Sequence, residues 1–334
     1  MKTIDLFCGC GGMSLGFKNA GFDIKLSADN WDKAISVYRD NFCHNIEKMD
    51  LTDEKSACDI FSEINPEIII GGPPCQDFSS AGKRDETLGR ADLTYHYANI
   101  VCQVKPNFFV MENVERIKKS KILSDIISQF KDNGYGLTPV ILDASYCNVP
   151  QARTRFFLIG HKGGKDNALL PFLAKGFSEH KMTIREYLGD SLGVDYYYRH
   201  PRNYSRRGVF SIDEPSPTVR GVNRPVPPSY ALHDGDPKNT DLDILRPLTT
   251  IERSYLQTFP KEFVFNGTKT NLEQMIGNAV PVNLANYVAK AIKEYVASDF
   301  ISEYQVPDFK IPNTNLKRML LIKEFELIKI EESI

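Results

Sequence analysis

Thr3-Ile4-Asp5-Leu6-Phe7-Cys8-Gly9-Cys10-Gly11-Gly12-Met13-Ser14 opens the chain with an apolar run, a glycine-rich turn and the start of a helix. Residues 3–7 have the length and composition of a short buried strand, and residues 13–20 those of a helix stopped by Gly21. The same order repeats outward from this unit. Residues 22–28 read as a second strand and 31–40 as a second helix. Residues 67–70, 107–111, 138–142 and 155–160 supply further strands, with helical stretches at 54–64, 93–104 and 119–133 between them. Strand–helix alternation of this kind predicts an α/β fold, a parallel sheet with helices on both faces.

After residue 160 the texture changes. Residues 161–247 are rich in Pro, Gly, Arg and Tyr and have little periodicity. Helical patterning returns from Leu248, with amphipathic helices expected at 280–296 and 316–330. Three regions are therefore expected: a body at 1–160, an irregular insert at 161–247 and a helical segment at 248–334 that packs back on the body. The 334 residues suffice for one large core and a smaller second unit. A net charge of -2 gives no global basic field, so a nucleic-acid surface has to be local. Asp5 interrupts the first apolar run, so neither a leader nor a membrane span is expected. Seven cysteines, an odd count, read as reduced thiols of a cytoplasmic protein. Cys8 and Cys10 have no second Cys/His pair at metal spacing, so no metal is expected.

A glycine-rich turn between strand and helix presents backbone N–H groups and lets a ligand approach closely. Residues 9–14 lack the last glycine of the dinucleotide fingerprint, and taken alone the turn is equally a tight connection. Its neighbours favour a ligand. About twenty positions after the glycines, where ribose hydroxyls are bound, stand both Asp29 and Asn30. Trp31 follows at a helix start, either stacking on an adenine or serving as a core aromatic. A third strand ending near Asp50-Leu51 places a carboxylate where an exocyclic amine can donate to it. Together these suit an adenosine ligand without a polyphosphate.

Two later strand ends carry chemistry. Ile68-Ile69-Ile70 leads into Gly71-Gly72-Pro73-Pro74-Cys75, and Phe108-Phe109-Val110-Met111 leads into Glu112-Asn113-Val114. A thiol fixed behind a proline pair is an odd choice for packing alone, and it suits a sulfur that must attack an unactivated ring. Glu112 offers a carboxyl at the like position of the next strand, on the sheet edge where α/β ligands bind. Arg153 and Arg155 alternate along an extended segment and so share a face. Residues 196–224 set Arg199, Arg202, Arg206, Arg207, Arg220 and Arg224 against two acids, Asp213 and Glu214, with tyrosines interleaved. Such a run is either a solvated face or a surface that grips phosphate and reads guanine.

The motifs DLFCGCGG (5–12), NWD (30–32), GGPPCQDFSSAGK (71–83), ENV (112–114), QARTR (151–155), RPLTTIERSYLQTFP (246–260) and GNAVPVNLA (277–285) occur in the order found in one family. The chain resembles the bacterial DNA (cytosine-5)-methyltransferases of restriction–modification systems over nearly its whole length except the insert. The resemblance implies a Rossmann-like methyltransferase sheet using S-adenosylmethionine, with S-adenosylhomocysteine as product. It places Phe7, Cys10 and Gly12 around the methionine and adenosine, with Trp31 on the adenine and Asp50 with Leu51 at its edge. Pro74 and Leu93 would line the pocket, and Asn278-Ala279 would close it. Where the family often has glutamate before the aromatic residue, this chain has Asn30, so the ribose falls to Asn30 or Asp29.

The resemblance also makes Cys75 the nucleophile that adds to C6 of a cytosine swung out of the duplex. Glu112 would act at N3 and the 4-amino group, and one of Arg155 and Arg153 at O2, the other bracing a phosphate or Glu112. Gln76 and Ser79 would fill the vacated space, the insert would be a target-recognition domain, and Thr218 would sit in a phosphate-contacting element beside Arg206, Arg207 and Arg220. A monomer bound to double-stranded DNA of the bacterial nucleoid, functionally paired with a restriction endonuclease, is implied. Two other readings stay open from the sequence: a methyltransferase acting on tRNA, whose branch carries a Cys-Phe-Thr motif absent here, and an inactive DNA-binding homologue.

Overall fold

The structure is a computed structural model that describes residues 1–74, 92–203 and 205–299. Its main sheet contains β1 (Lys2–Leu6), β2 (Asp23–Asp29), β3 (Asn45–Lys48), β4 (Ile68–Gly71), β5 (Phe108–Val114), β6 (Tyr135–Asp143) and, after the two-residue β7 (Gln151–Ala152), β8 (Thr154–Lys162). The order across the sheet is β3-β2-β1-β4-β5-β8-β6. The first five strands in this order pair in parallel. β8 runs antiparallel to both β5 and β6, which the expected all-parallel sheet did not include. The connection from β6 to β8 is too short for a crossover helix, and so short a link allows only an antiparallel return.

Helices α1 (Gly12–Asn19), α2 (Asp32–Asn41), α3 (Glu54–Ile64), α4 (Asp92–Val104) and α5 (Lys121–Asp132) alternate with these strands. α3 starts at Asp53, whose carboxylate accepts from the Ser56 N–H, and stops at Asn65 in the left-handed region. The insert holds α6 (Leu170–Lys175), α7 (Ile184–Leu188), β9 (Tyr196–Tyr198), β10 (Val209–Ser211) and β11 (Ser216–Pro217). α8 (Thr250–Leu256), α9 (Lys269–Asn278) and α10 (Val282–Asp299) follow.

Because successive strand residues point to opposite faces, the sheet splits its apolar side chains between two cores. Ile68, Ile70, Val110 and Phe157 face α1, α6 and α10. Ile69, Phe109, Met111 and Phe156 face α3, α4 and α5. Each such side chain, fully buried, contributes roughly 1.5–3 kcal/mol. On the first face α1 and α10 approach closely: a Cβ on Gly16 would lie 2.5 Å from the Ala285 Cβ. Asn286 Nδ2 donates to the Gly16 carbonyl (3.0 Å) and Lys293 Nζ to that of Ala20 (2.9 Å).

The division expected at residue 160 falls inside the body. β8 continues to Lys162, and Leu169, Leu173, Ala174 and Phe177 share the core of α10, because their apolar spacing completes that face. A third core joins Tyr197, Phe210 and Val219 of the insert to Leu256, Phe259, Met275 and Ile276, and to Cys8, Cys10 and Tyr38 beside the glycine turn. The helix expected at 316–330 lies outside the described residues.

Candidate active site

The parallel strands deliver their ends to one edge of the sheet. β1 runs into Phe7–Gly12, where Phe7 itself is left-handed at φ 56°. Asp29, at the end of the neighbouring β2, accepts from the Gly9 N–H (2.8 Å) with one oxygen and from the Trp31 N–H (2.8 Å) with the other. A Cβ on Gly12 would lie 2.3 Å from the Val280 carbonyl, so only glycine lets the later chain close over the turn. A Cβ on Gly9 would meet nothing within 4 Å, which leaves that side of the turn open. Around it stand half-buried Trp31, exposed Asn30 and Asp50, buried Leu51, exposed Pro74, half-buried Leu93 and, from the far end of α9, exposed Asn278 and half-buried Ala279. Asp50 accepts from the N–H and hydroxyl of Thr52 (3.0 and 2.8 Å), which hold its carboxyl below the usual range.

Beneath the turn lies a polar chain that no sequence pattern announces. Ser14 Oγ donates to Asp5 (2.5 Å), Tyr38 donates to Ser14 (2.7 Å), and the Tyr38 hydroxyl also meets Ser27 (2.6 Å) and His44 (2.6 Å). Burial pushes the Asp5 carboxyl up to about 7 and, by the same cause, the Cys10 thiol to about 12. Burial also raises the Cys8 and Cys147 thiols, and takes those of Cys58 and Cys102 to about 11. None of these five is a thiolate near neutral pH.

At the ends of β4 and β5 the geometry is tight. Glu112 is buried, and Arg155 Nε lies 2.9 Å from its Oε1, an ion pair not aligned as a hydrogen bond. Burial outweighs Arg155 and Arg153, so the Glu112 carboxyl stands above its ordinary value. A Cβ on Gly72 would sit 3.2 Å from Glu112 Oε2, and Asn113 Nδ2 donates to the Pro73 carbonyl (3.3 Å). The Gly-Gly-Pro-Pro run is thus laid against Glu112 and Asn113 up to the residue before position 75. Cys75, Gln76 and Ser79 themselves lie outside the described residues.

The insert supplies a basic face built on backbone carbonyls. Arg199 donates to the Thr218 carbonyl (2.8 Å), Arg220 to that of His200 and Arg253 to that of Arg220. Burial first, then mutual repulsion, takes Arg199 and Arg253 down to about 10. Arg207 pairs with Glu214 and covers the Phe210 ring at 4.2 Å, whereas Arg206 and Arg224 are exposed. Thr218 Oγ1 donates to the Ala152 carbonyl (2.9 Å), beside the pairing of β11 with β7.

Residues 1–294 match the family described as C-5 cytosine-specific DNA methylase. The chain belongs to that family. The Type II methyltransferase M.HindV of Haemophilus influenzae is 64% identical over 292 residues, which cover 87% of this chain and 96% of that protein. M.HgiDI of Herpetosiphon aurantiacus, also a Type II methyltransferase, is 55% identical over 89% of this chain and 95% of its own. In fold the chain is similar to the S. pombe Dnmt2 methyltransferase (TM-score 0.65, 19% identity, 89% and 99% of the two chains) and to the Entamoeba histolytica methyltransferase EhMeth (0.62, 17%, 90% and 98%). This methylase is therefore a DNA (cytosine-5)-methyltransferase on a mostly parallel α/β sheet.

Two expected site residues of the methylase have other tasks in the structure. One oxygen of Asp29 holds the Gly9 N–H of the glycine turn and the other the Trp31 N–H, while the neighbouring Asn30 is exposed. Arg153, expected near O2, a phosphate or Glu112, is 1% exposed and donates to the carbonyls of Val219, Gly277 and Ala279. Its Gln-Ala-Arg-Thr-Arg motif marked the position but not the direction, since alternation along β7–β8 is broken between them. Among the described residues no group of three or more His, Cys, Asp or Glu could hold a metal, and no helix is long and apolar enough to cross a membrane.

Proposed function

We propose that the chain transfers a methyl group from S-adenosylmethionine to C5 of a cytosine extruded from a specific duplex sequence, through a covalent bond from Cys75 to C6. The observation that supports this is the seating of Gly72 and Pro73, the chain leading toward position 75, against Glu112 and Asn113, with Glu112 paired to Arg155. The open glycine turn, Asn30, Trp31, Asp50, Leu51, Pro74, Leu93, Asn278 and Ala279 fit an adenosine with a short apolar and charged tail. When bound, S-adenosylmethionine supplies a methyl group on a sulfonium as the electrophile.

The chain's own residues do the rest. Cytosine C5 is a poor nucleophile while the ring is aromatic. The Cys75 thiolate adds to C6, and the displaced electron pair passes to N3 and O2. Glu112, whose carboxyl burial raises above its ordinary value, shares a proton with N3 and gives an acceptor oxygen to the 4-amino group, and Arg155 meets O2. C5 is then enamine-like and takes the methyl group. Water takes the C5 proton as base, and the freed electron pair restores the C5–C6 double bond and expels Cys75 as thiolate. Gln76 and Ser79 would occupy the space the base leaves.

Residues from Ile184 to Arg224 would form the recognition surface, with Arg199, Arg206, Arg220 and Arg224 toward DNA and Thr218 on a phosphate. The naming of its relatives as Type II methyltransferases supports protection of host DNA against a paired restriction endonuclease. The test is transfer from labelled cofactor to unmethylated duplex DNA and to tRNA, followed by bisulfite mapping. Label in duplex DNA at one recurring sequence is expected. Label in tRNA alone would overturn the substrate. A duplex with 5-fluorocytosine at the mapped position should trap the chain covalently, and Cys75→Ser should bring both trapping and turnover to the assay floor.

A further inference from the structure

Neither Arg153 nor Gln257 has a part in the chemistry above, yet each is buried and spans distant pieces of chain. Arg153 Nη1 donates to the carbonyls of Val219 (3.2 Å) and Gly277 (3.1 Å), and Nη2 to that of Ala279 (3.1 Å). Gln257 Nε2 donates to Ile276 (2.5 Å) and also to Ala279 (3.1 Å). Its Oε1 accepts from Gln151 Nε2 (2.7 Å), and Gln151 Oε1 in turn accepts from the Val219 N–H (2.8 Å). The backbones themselves touch. A Cβ on Gly277 would lie 2.4 Å from the Arg220 carbonyl carbon. The segment that follows β11 with Thr218 and Arg220 and the end of α9 with Asn278 and Ala279 are thus fastened to one guanidinium and two amides. A planar guanidinium spreads its donors over separate nitrogens and so reaches carbonyls of two chain segments at once, whereas a lysine gathers its donors on one nitrogen.

We propose that Arg153, supported by Gln151 and Gln257, is a positioning residue that couples the cofactor and DNA sites, so that each ligand strengthens the binding of the other. The inference rests on the reading of Asn278–Ala279 as a cofactor wall and of Thr218–Arg220 as a DNA contact. A ligand that orders one side must also order the shared carbonyls, so the second ligand meets a segment already placed. Coupling of this kind is reciprocal by thermodynamic necessity.

The experiment measures the affinity of the full chain for a short fluorescent duplex bearing the mapped sequence, with and without saturating S-adenosylhomocysteine. For the wild type, S-adenosylhomocysteine should tighten duplex binding about tenfold. Arg153→Met, which keeps the stem and removes the fork, should lose most of that ratio, and Arg153→Lys, which keeps the charge but gathers its donors on one nitrogen, should retain part of it. A merely structural arginine would give weaker binding of each ligand with the ratio unchanged, and that result overturns the coupling. If Arg153→Met does not fold, as a thermal melt will show, Arg153→Lys and Gln257→Leu carry the same comparison. A wild type that binds both ligands independently removes the coupling alone. A wild type that binds no S-adenosylhomocysteine removes the cofactor reading, and the coupling with it.

Discussion

The glycine turn and the arginine-rich insert hold their polar groups by opposite means. At the turn, one carboxylate fixes two N–H groups, glycines admit a carbonyl and a ligand, and the buried acid beneath is drawn toward its neutral form. Across residues 196–224 of the insert, strands of two or three residues carry arginines of which Arg199 and Arg220 lean on carbonyls and repel one another, with only Asp213 and Glu214 as acids. The first arrangement is shaped in advance and needs no ion to be stable. The second concentrates like charge, which costs stability until an anion arrives. The catalytic edge should therefore be well formed in the free chain, while the insert should gain most from a polyanion.

The largest break of this contrast is at Glu112. Glu112→Gln keeps the shape but cannot share a proton with N3, and kcat should fall by roughly 10²–10⁴. For the wild type, because the Glu112 carboxyl stands above its ordinary value, kcat should decline as pH rises through that raised value. A stopped assay across pH checks both, and an alkaline limb that survives in the variant would point to another group.

Next in size is Asp5. Its folded value of about 7 exceeds the ordinary 3.8, so the folded state holds its proton more tightly than the unfolded state. The sign follows: this stabilisation is whole below the unfolded value and is lost as pH climbs through the folded one, by at most about 4 kcal/mol. Asp5→Asn should flatten urea-derived stability between these limits relative to the wild type. A parallel pair of profiles would mean that Asp5 stays charged.

Smaller effects belong to the insert. Arg220→Ala should weaken duplex binding about tenfold and lower the slope of affinity against salt by about 1, with Arg206→Ala doing less. Titration by fluorescence anisotropy at several salt concentrations decides it, and an unchanged slope would make Arg220 a structural group only. Smallest is Thr249, whose hydroxyl accepts from the Glu252 N–H and whose N–H donates back to Glu252 at the start of α8. Thr249→Ala should cost about 1 kcal/mol by thermal melt with no change in the salt slope.

Much of the catalytic edge was readable because its signals are local. Helix 54–64 is bounded as expected, since Asp53 and Asn65 cap it within the sequence itself. Glu112 stands where its apolar run implied, at the strand end beside Gly72. What escaped depends on partners far along the chain. Arg153 follows the alternation of an extended segment on paper, but its acceptors lie on Val219, Gly277 and Ala279. Asp29 also accepts from the Gly9 and Trp31 N–H groups, which come from turns whose path no pattern describes. The Asp5–Ser14–Ser27–Tyr38–His44 chain was hidden because serine and tyrosine in apolar runs look the same whether or not they meet. Residues 161–177 were assigned to the insert on texture alone, and only packing against α10 returns part of them to the body.

The clasp between α1 and α10 bears on how the chain is made. Gly16 and Ala285, touching in the finished molecule, leave the ribosome far apart in time. A nascent chain that has translated its glycine turn still lacks the helix that seats α1, so the turn's first helix must wait with an apolar side uncovered. Contacts of such long sequence separation slow folding. Premature termination before α10 would leave α1 with its apolar side exposed, a species for proteases rather than for the genome.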